Sequence, residues 1–377
     1  MNIYKKWILY VLFLPLPLVI TLLALLYVYD PYQLFHKPYF REKAFFDNKR
    51  IQNRGIIKNQ SFDSIIIGAS ILENTSILEA NHKLGGTWIN LSLPSATLSE
   101  RNLFLNYAFR YKKIKNIIYS IDSFAMVNPE FQPIDTTSYN FLYNSNFLDD
   151  FRPYFSRRFI MCALTFSNEK KCIGEHKNLN YEPAWFNPNR FGGFYNWIID
   201  TKTSPNDKNT LFNAITSPIK FQSPKTNNIQ TQTNLINIFL VDLIKKNPQI
   251  NFYLVIPTYP RIHYKISVSD VYPNQDGSLF YKYSTILKWL ITEMQKYPNV
   301  KIYGFDTLNY ADNLKNYSDS VHYDKSMNSM QLDAIKNGTH ILTPQNMDEY
   351  FKIMEEKIRN YDLKPLIEQI KKASKET

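Results

Sequence analysis

The sequence predicts an α/β protein: a parallel sheet covered on both faces, preceded by a transmembrane helix and interrupted by an inserted subdomain. Three observations predict this. Short, near-continuous apolar runs alternate with helical stretches, as strands buried on both faces require. An uncharged apolar run occupies residues 7–29, and residues 127–225 break the strand–helix rhythm with many Asn, Pro, Phe and Tyr.

The N-terminal run decides the expected compartment. Trp7 to Tyr29 carries no charge and is long enough to cross ~30 Å of hydrocarbon as a helix. Lys5 and Lys6 precede it, so the positive-inside rule leaves residues 1–6 in the cytoplasm and exports the rest. Pro15 and Pro17 are expected to kink this helix, which a membrane span tolerates. A cleaved signal peptide is the rival reading, but "LLYVYDPYQLFHKPYF" offers no small-x-small cleavage site.

Residues 30–60 read as a charged and aromatic juxtamembrane stretch. Strands then follow in order: "SIIIGAS" (64–70), "TWINLSL" (87–93), "KNIIYSID" (115–122), "NFYLVIPT" (251–258) and "VKIYGFD" (300–306). Helices are expected in "ATLSERNLFLNYAFRYKK", in "NLINIFLVDLIKKNP" before the fourth strand, and in "TILKWLITEMQKYP" before the fifth. The main domain is placed at 61–346. The tail 347–377 reads as helical, with Phe351, Met354, Ile358 and Tyr361 near one face and Pro365 as a break. Within the insertion, "YEPAWFNPNRFGGFYNW" (181–197) concentrates Trp185, Phe186, Phe191, Phe194, Tyr195 and Trp197. These rings either stack on a sugar or acyl chain or form a small local core.

Composition narrows the function. Lys and Arg number 44 against 33 Asp and Glu, spread thinly with no run of five like charges. That balance suits an acidic envelope polymer rather than nucleic acid. Cys162 and Cys172 are too few for a disulfide scaffold; they pair in an oxidising compartment or else serve as small core residues. No C-x-x-C or His/Cys cluster indicates zinc, and no metal or cofactor is expected.

Ligands of a parallel α/β sheet bind beyond the carboxyl ends of its strands. Ser70 stands at such an end, and Gly68 and Ala69 leave room beside it. By itself the stretch fits a packed strand end or a phosphate-binding turn as well as a nucleophile. The pattern Gly-x-Ser-x-Gly is absent, since Leu72 holds the last position. The block "NYSDSVHYD" (316–324) after the fifth strand shifts the balance. Asp319 and His322 are one tight turn apart, so both can face one pocket. A serine needs a base in hydrogen-bond reach, and the base needs an orienting group.

The order of a small-residue serine turn, then "NLSLPSAT", then Asp-x-x-His resembles the SGNH/GDSL hydrolase superfamily over residues 62–125 and 250–340. The anchor and long insertion are similar to its membrane-anchored exported branch, which includes DltD-like and alginate O-acetylation proteins. The resemblance implies a flavodoxin-like three-layer fold with Ser70 as nucleophile, His322 as base and Asp319 as its partner. It puts Ser95 at the position of an oxyanion-hole glycine. Gly68-Ala69-Ser70 replaces Gly-Asp-Ser, and "YSIDSFAM" replaces the Gly-x-Asn-Asp block, with Asp122 where an amide donor is expected. A carboxylate there would repel an oxyanion, and one donor is worth ~3 kcal/mol; Asn128 is a candidate substitute.

Functionally, the resemblance implies a serine O-acyl(acetyl)transferase or esterase acting on an envelope polysaccharide. It would be held on the exported side of the cytoplasmic membrane, with a multi-span acyltransferase as partner. The alternatives are a catalytically weak or inactive assembly or glycan-binding partner of such an acyltransferase, and a secreted lipase or thioesterase.

Overall fold

The computed structural model describes residues 13–128, 139–183, 185–199, 228–266 and 278–373, with Tyr4, Trp7, Tyr10, Val11, Asn213, Ile215 and Phe221. Much of the expected insertion, 129–138 and most of 200–227, therefore lies outside the described residues. The chain forms two compact units. One comprises residues 1–61, 103–113 and 135–181; the other comprises 62–102, 114–134 and 182–377.

The second unit contains a six-stranded sheet: β1 (Ser64–Ile67), β2 (Trp88–Asn90), β3 (Asn116–Ser120), β4 (Asn251–Val255), β5 (Val300–Tyr303) and β6 (Ile341–Leu342). Their order is β2-β1-β3-β4-β5-β6, with β1 to β5 all parallel. The first five thus follow the 2-1-3-4-5 order of flavodoxin-like doubly wound sheets. All five expected strands are present. β6 departs from the parallel rule by pairing antiparallel with β5 at the sheet edge, where two residues suffice to close it.

The register sets Ile65 beside Ile89 and Ile117, and Ile117 beside Phe252. Ile65, Ile66 and Ile67 are all fully buried. Since successive side chains point to opposite faces, both faces of β1 are covered. Each such isoleucine contributes roughly 1.5–3 kcal/mol of burial. The helices Ser278–Met294 and Lys325–Asn337 both pack against β5. The tail helix Met347–Asn360 buries Phe351, Met354 and Ile358, and ends before the helix Lys364–Ala373.

Residues 98–102 of the helix Leu98–Tyr111 belong to the sheet unit and 103–111 to the other. The helix starts with a reciprocal capping box. Thr97 Oγ1 accepts the Glu100 N–H at 3.2 Å, and Glu100 Oε2 accepts the Thr97 N–H at 3.0 Å.

The first unit gathers the helix Leu16–Tyr29, the helix Lys49–Asn59 and the helix Arg157–Leu164. Cys162 and Cys172 pair, with Cα atoms 5.6 Å apart. The transmembrane helix expected over 7–29, kinked at Pro15 and Pro17, is shorter in the structure. A turn at Leu14–Pro15 interrupts it, and the helix Leu16–Tyr29 has 14 residues, about 21 Å long. Among the described residues no helix is long and apolar enough to cross a membrane. The physical cause is proline: Pro17 has no N–H to extend the ladder, and its ring crowds the preceding turn.

Candidate active site

β1 ends at Ile67, and Gly68 and Ala69 lead into the short helix Ser70–Glu73. The glycine answers a close approach. A Cβ at Gly68 would lie 2.1 Å from Ser120 Oγ at the end of β3. Two side-chain amides hold the turn after Ser70. Asn90 Nδ2 donates to the carbonyls of Leu72 at 2.8 Å and Thr75 at 3.1 Å. Asn328 Nδ2 donates to the Ile71 carbonyl at 3.2 Å and to Thr75 Oγ1 at 2.9 Å.

The other half of the site is a tight loop between the bridged pair Tyr317 and Tyr323. The Ser318 N–H donates to the His322 carbonyl at 3.0 Å, and the Tyr317 hydroxyl donates to the Thr258 carbonyl at 2.8 Å. Asp319 Oδ1 accepts the backbone N–H groups of Val321 and His322, each at 2.8 Å. This is a side-chain turn of the kind aspartate favours. It orients the carboxylate before the imidazole is considered.

The structure brings Ser70, His322 and Asp319 into one hydrogen-bonded line. Ser70 Oγ lies 2.7 Å from His322 Nε2. His322 Nδ1 lies 2.8 Å from Asp319 Oδ2 and 3.0 Å from Oδ1. A carboxylate on Nδ1 requires the proton there, which leaves the Nε2 lone pair for the serine hydroxyl. Burial pushes the Asp319 carboxyl up, but His322 and the two backbone N–H groups outweigh it and hold it far below the usual carboxylate range. Burial likewise pushes the His322 imidazole down. Asp319, by its charge and hydrogen bond, together with the charge of Glu73, overrides burial and leaves it raised.

Ser95 lies in the loop after β2 with φ +52°, the left-handed region that costs a non-glycine residue about 1–2 kcal/mol. That backbone stands where the resemblance expects glycine. The loop is fastened to the nucleophile strand, since the Leu93 N–H donates to the Gly68 carbonyl at 3.2 Å. Among the described residues, neither the Ser70 nor the Ser95 N–H donates to another group.

Asp122 is corrected. It does not offer its carboxylate to the site but is buried against Arg101, itself fully buried. The guanidinium also donates to the carbonyls of Ser120 at 2.6 Å and Ala96 at 2.8 Å. Ser120 Oγ donates to Asp122 Oδ2 at 2.9 Å. The pair therefore ties the end of β3 to the loop bearing Ser95, and its charge is neutralised. Asn128 is buried at the end of the helix Ser123–Val127.

Sequence reasoning missed Glu73 beside His322 and named Trp185 only as one ring of an aromatic cluster. Glu73 is buried three residues after Ser70, and its Oε2 accepts the Trp185 indole N–H at 2.9 Å. The Trp185 ring lies 4.3 Å from the His322 ring at a tilt of 32°. Lys325 pairs with Glu182 and lies over the Phe186 ring, fastening the same segment. Phe194 and Trp197 take the local-core alternative, both buried, with the Trp197 indole donating to the Tyr317 carbonyl at 2.7 Å. Elsewhere in the sheet unit, His263 stacks on Tyr259 at 4.3 Å between ring centroids, and burial pushes its imidazole down to about 4, so it is neutral near pH 7. The only sequence signal for Glu73 was an acid close behind the candidate nucleophile.

No protein-family model matches the chain, and neither a curated protein nor a solved structure matches it.

Proposed function

We propose that the protein is a serine O-acyltransferase or esterase of the SGNH type, acting on an ester of an envelope polysaccharide. The observation that carries this reading is the line from Ser70 through His322 to Asp319 at hydrogen-bonding distances. Ser70 Oγ attacks the acyl carbonyl while His322 Nε2 takes its proton. The resulting oxyanion is held by the N–H groups of Ser70 and Ser95. Collapse expels the alcohol, which receives the proton from His322, and leaves an acyl-serine. A sugar hydroxyl or water, deprotonated by the same imidazole, then releases the acyl group.

Asp319 keeps the proton on Nδ1 and stabilises the imidazolium. Arg101 and Asp122 hold the loop that carries the second donor. The neutralisation of Asp122 supports an active site, because the carboxylate expected to repel the oxyanion is instead spent on Arg101.

We place the sheet unit outside the cytoplasm, anchored by the apolar residues 7–29. The Cys162–Cys172 disulfide supports this, since such pairs persist in oxidising compartments. A glycan is the acceptor or substrate, and a multi-span membrane acyltransferase is the expected partner. The test compares ester-linked acetate on surface polysaccharide between cells carrying the wild type and cells carrying Ser70→Ala. A changed acetate content supports the reading. Equal content, with both proteins present in equal amounts, refutes it.

A further inference from the structure

The first unit exposes an unusual set of rings around the foot of the helix Leu16–Tyr29. Tyr27, near its end, contacts Phe147 at 6.2 Å and His36 at 5.1 Å between ring centroids. His36 stacks on Tyr39 at 4.1 Å, and Tyr39 touches Phe40 at 6.2 Å. Phe166 meets Tyr29 edge-on at 6.0 Å. The outer rings of this set are exposed, Phe40 by 73 %, Tyr39 by 61 % and Phe147 by 48 %, while His36 and Tyr29 are buried. Lys37 is exposed beside them.

The helix they surround is not built for water. A helix lying on a protein surface has a polar face, yet here Leu16, Leu18, Val19 and Ile20 are all exposed, and no charged residue occurs from 7 to 29. The helix Arg157–Leu164 packs against it and adds exposed Met161 and Leu164.

The helix is also rigidly seated. Asp30 ends it in a left-handed conformation, φ +39°. Its buried carboxylate accepts the N–H groups of Leu34 at 2.8 Å and of Phe35 and His36 at 2.9 Å each. The Tyr154 hydroxyl donates to the same carboxylate at 2.5 Å. Arg41 Nε donates to the Tyr29 carbonyl at 2.9 Å, putting a cation at the negative helix end. An anchor on a slack tether leaves its domain free to tumble. This one has a fixed direction relative to the first unit, and the rings gather around its C-terminal end as a collar.

We propose that this collar lies in the headgroup layer of the bilayer, so that the first unit rests on the membrane surface as an oriented base. Aromatic rings with an apolar body concentrate at that depth, and Lys37 suits lipid phosphates. Continuity favours lipid over a protein: Tyr27 of the collar lies on the same helix that exposes Leu16, Leu18, Val19 and Ile20, within a run of residues 7–29 that carries no charge. The proposal rests on the anchor reading above and specifies what that anchor orients.

The test uses the full chain in vesicles of phosphatidylethanolamine and phosphatidylglycerol, with benzoylphenylalanine placed singly at Phe40, Phe147 or, as a control in the sheet unit, exposed Leu78. Each protein is irradiated and its adducts are identified by mass. Lipid adducts are expected at Phe40 and Phe147 and absent at Leu78. Lipid adducts at none of the three, equal yields at all three, or protein–protein adducts at the collar would each overturn the proposal. Carbonate extraction of the same vesicles reads the anchor separately: retention without collar adducts refutes the collar alone, and extraction refutes the anchor itself.

Discussion

Replacing Asp319 with asparagine changes one atom at the centre of the site. Oδ1 is committed to the N–H groups of Val321 and His322, so the asparagine oxygen keeps that position. The new amide NH2 then faces His322 Nδ1, 2.8 Å from the replaced oxygen. The new amide donor opposes the Nδ1 proton at the shorter contact and leaves it only the 3.0 Å contact to the retained oxygen, which favours the tautomer protonated on Nε2, whose nitrogen 2.7 Å from Ser70 Oγ can no longer accept. The charge is lost as well. Two unit charges 2.8 Å apart interact by roughly 6 kcal/mol at an effective dielectric of 20 and roughly 1.5 kcal/mol in water.

These side chains are 21 % and 28 % exposed, so the true value lies between those limits. A loss of about four orders of magnitude in Ser70 reactivity, close to 5.5 kcal/mol, falls within that range. The assay is the rate of covalent labelling by a fluorophosphonate at fixed pH, with thermal unfolding followed in parallel. Asp319→Asn should melt near the wild type, because the loop's backbone hydrogen bonds survive. A labelling rate within tenfold of wild type, in a protein that melts normally, would refute the assignment of Asp319.

Two further predictions concern charge. Labelling needs neutral His322, whose raised pKa means reactivity falls as pH drops through a midpoint above the ordinary ~6.5. Glu73→Gln removes one of the negative charges raising it while keeping an acceptor for the Trp185 indole, so the midpoint should move to lower pH; an unmoved or higher midpoint contradicts this. Arg101→Leu leaves Asp122 buried without its partner and should cost about 3–5 kcal/mol in chemical denaturation, with part of that recovered by adding Asp122→Leu. A loss below about 1 kcal/mol would show that the pair does not hold the loop.

The sheet was legible because burial on both faces leaves little but apolar residues in runs such as Ser64–Ile67, whereas its 2-1-3-4-5 order was implied only by the resemblance, since parallel crossovers allow several orders. β6 was not, since two residues carry no pattern. Asp319 and His322 could be found together because their geometry is local, set by a turn of four residues. Glu73 and Trp185 are separated by 112 residues, and nothing in either stretch announces the other.

Asp122 was misplaced for a related reason. Its position after β3 suggested the site, but a buried guanidinium 21 residues earlier decides where its carboxylate points. The break at Leu14–Pro15 falls where Pro15 and Pro17 led the sequence reading to expect a kink; what hydropathy did not register is that it leaves a helix of only Leu16–Tyr29.

The central claim is that Ser70 is a nucleophile activated by His322. The most direct measurement treats the purified full chain with a fluorophosphonate and maps the adduct by peptide mass. The account predicts a single adduct on Ser70, absent in Ser70→Ala and strongly reduced in His322→Ala when both variants melt like the wild type. An adduct on another residue, or equal labelling of wild type and Ser70→Ala, would contradict it.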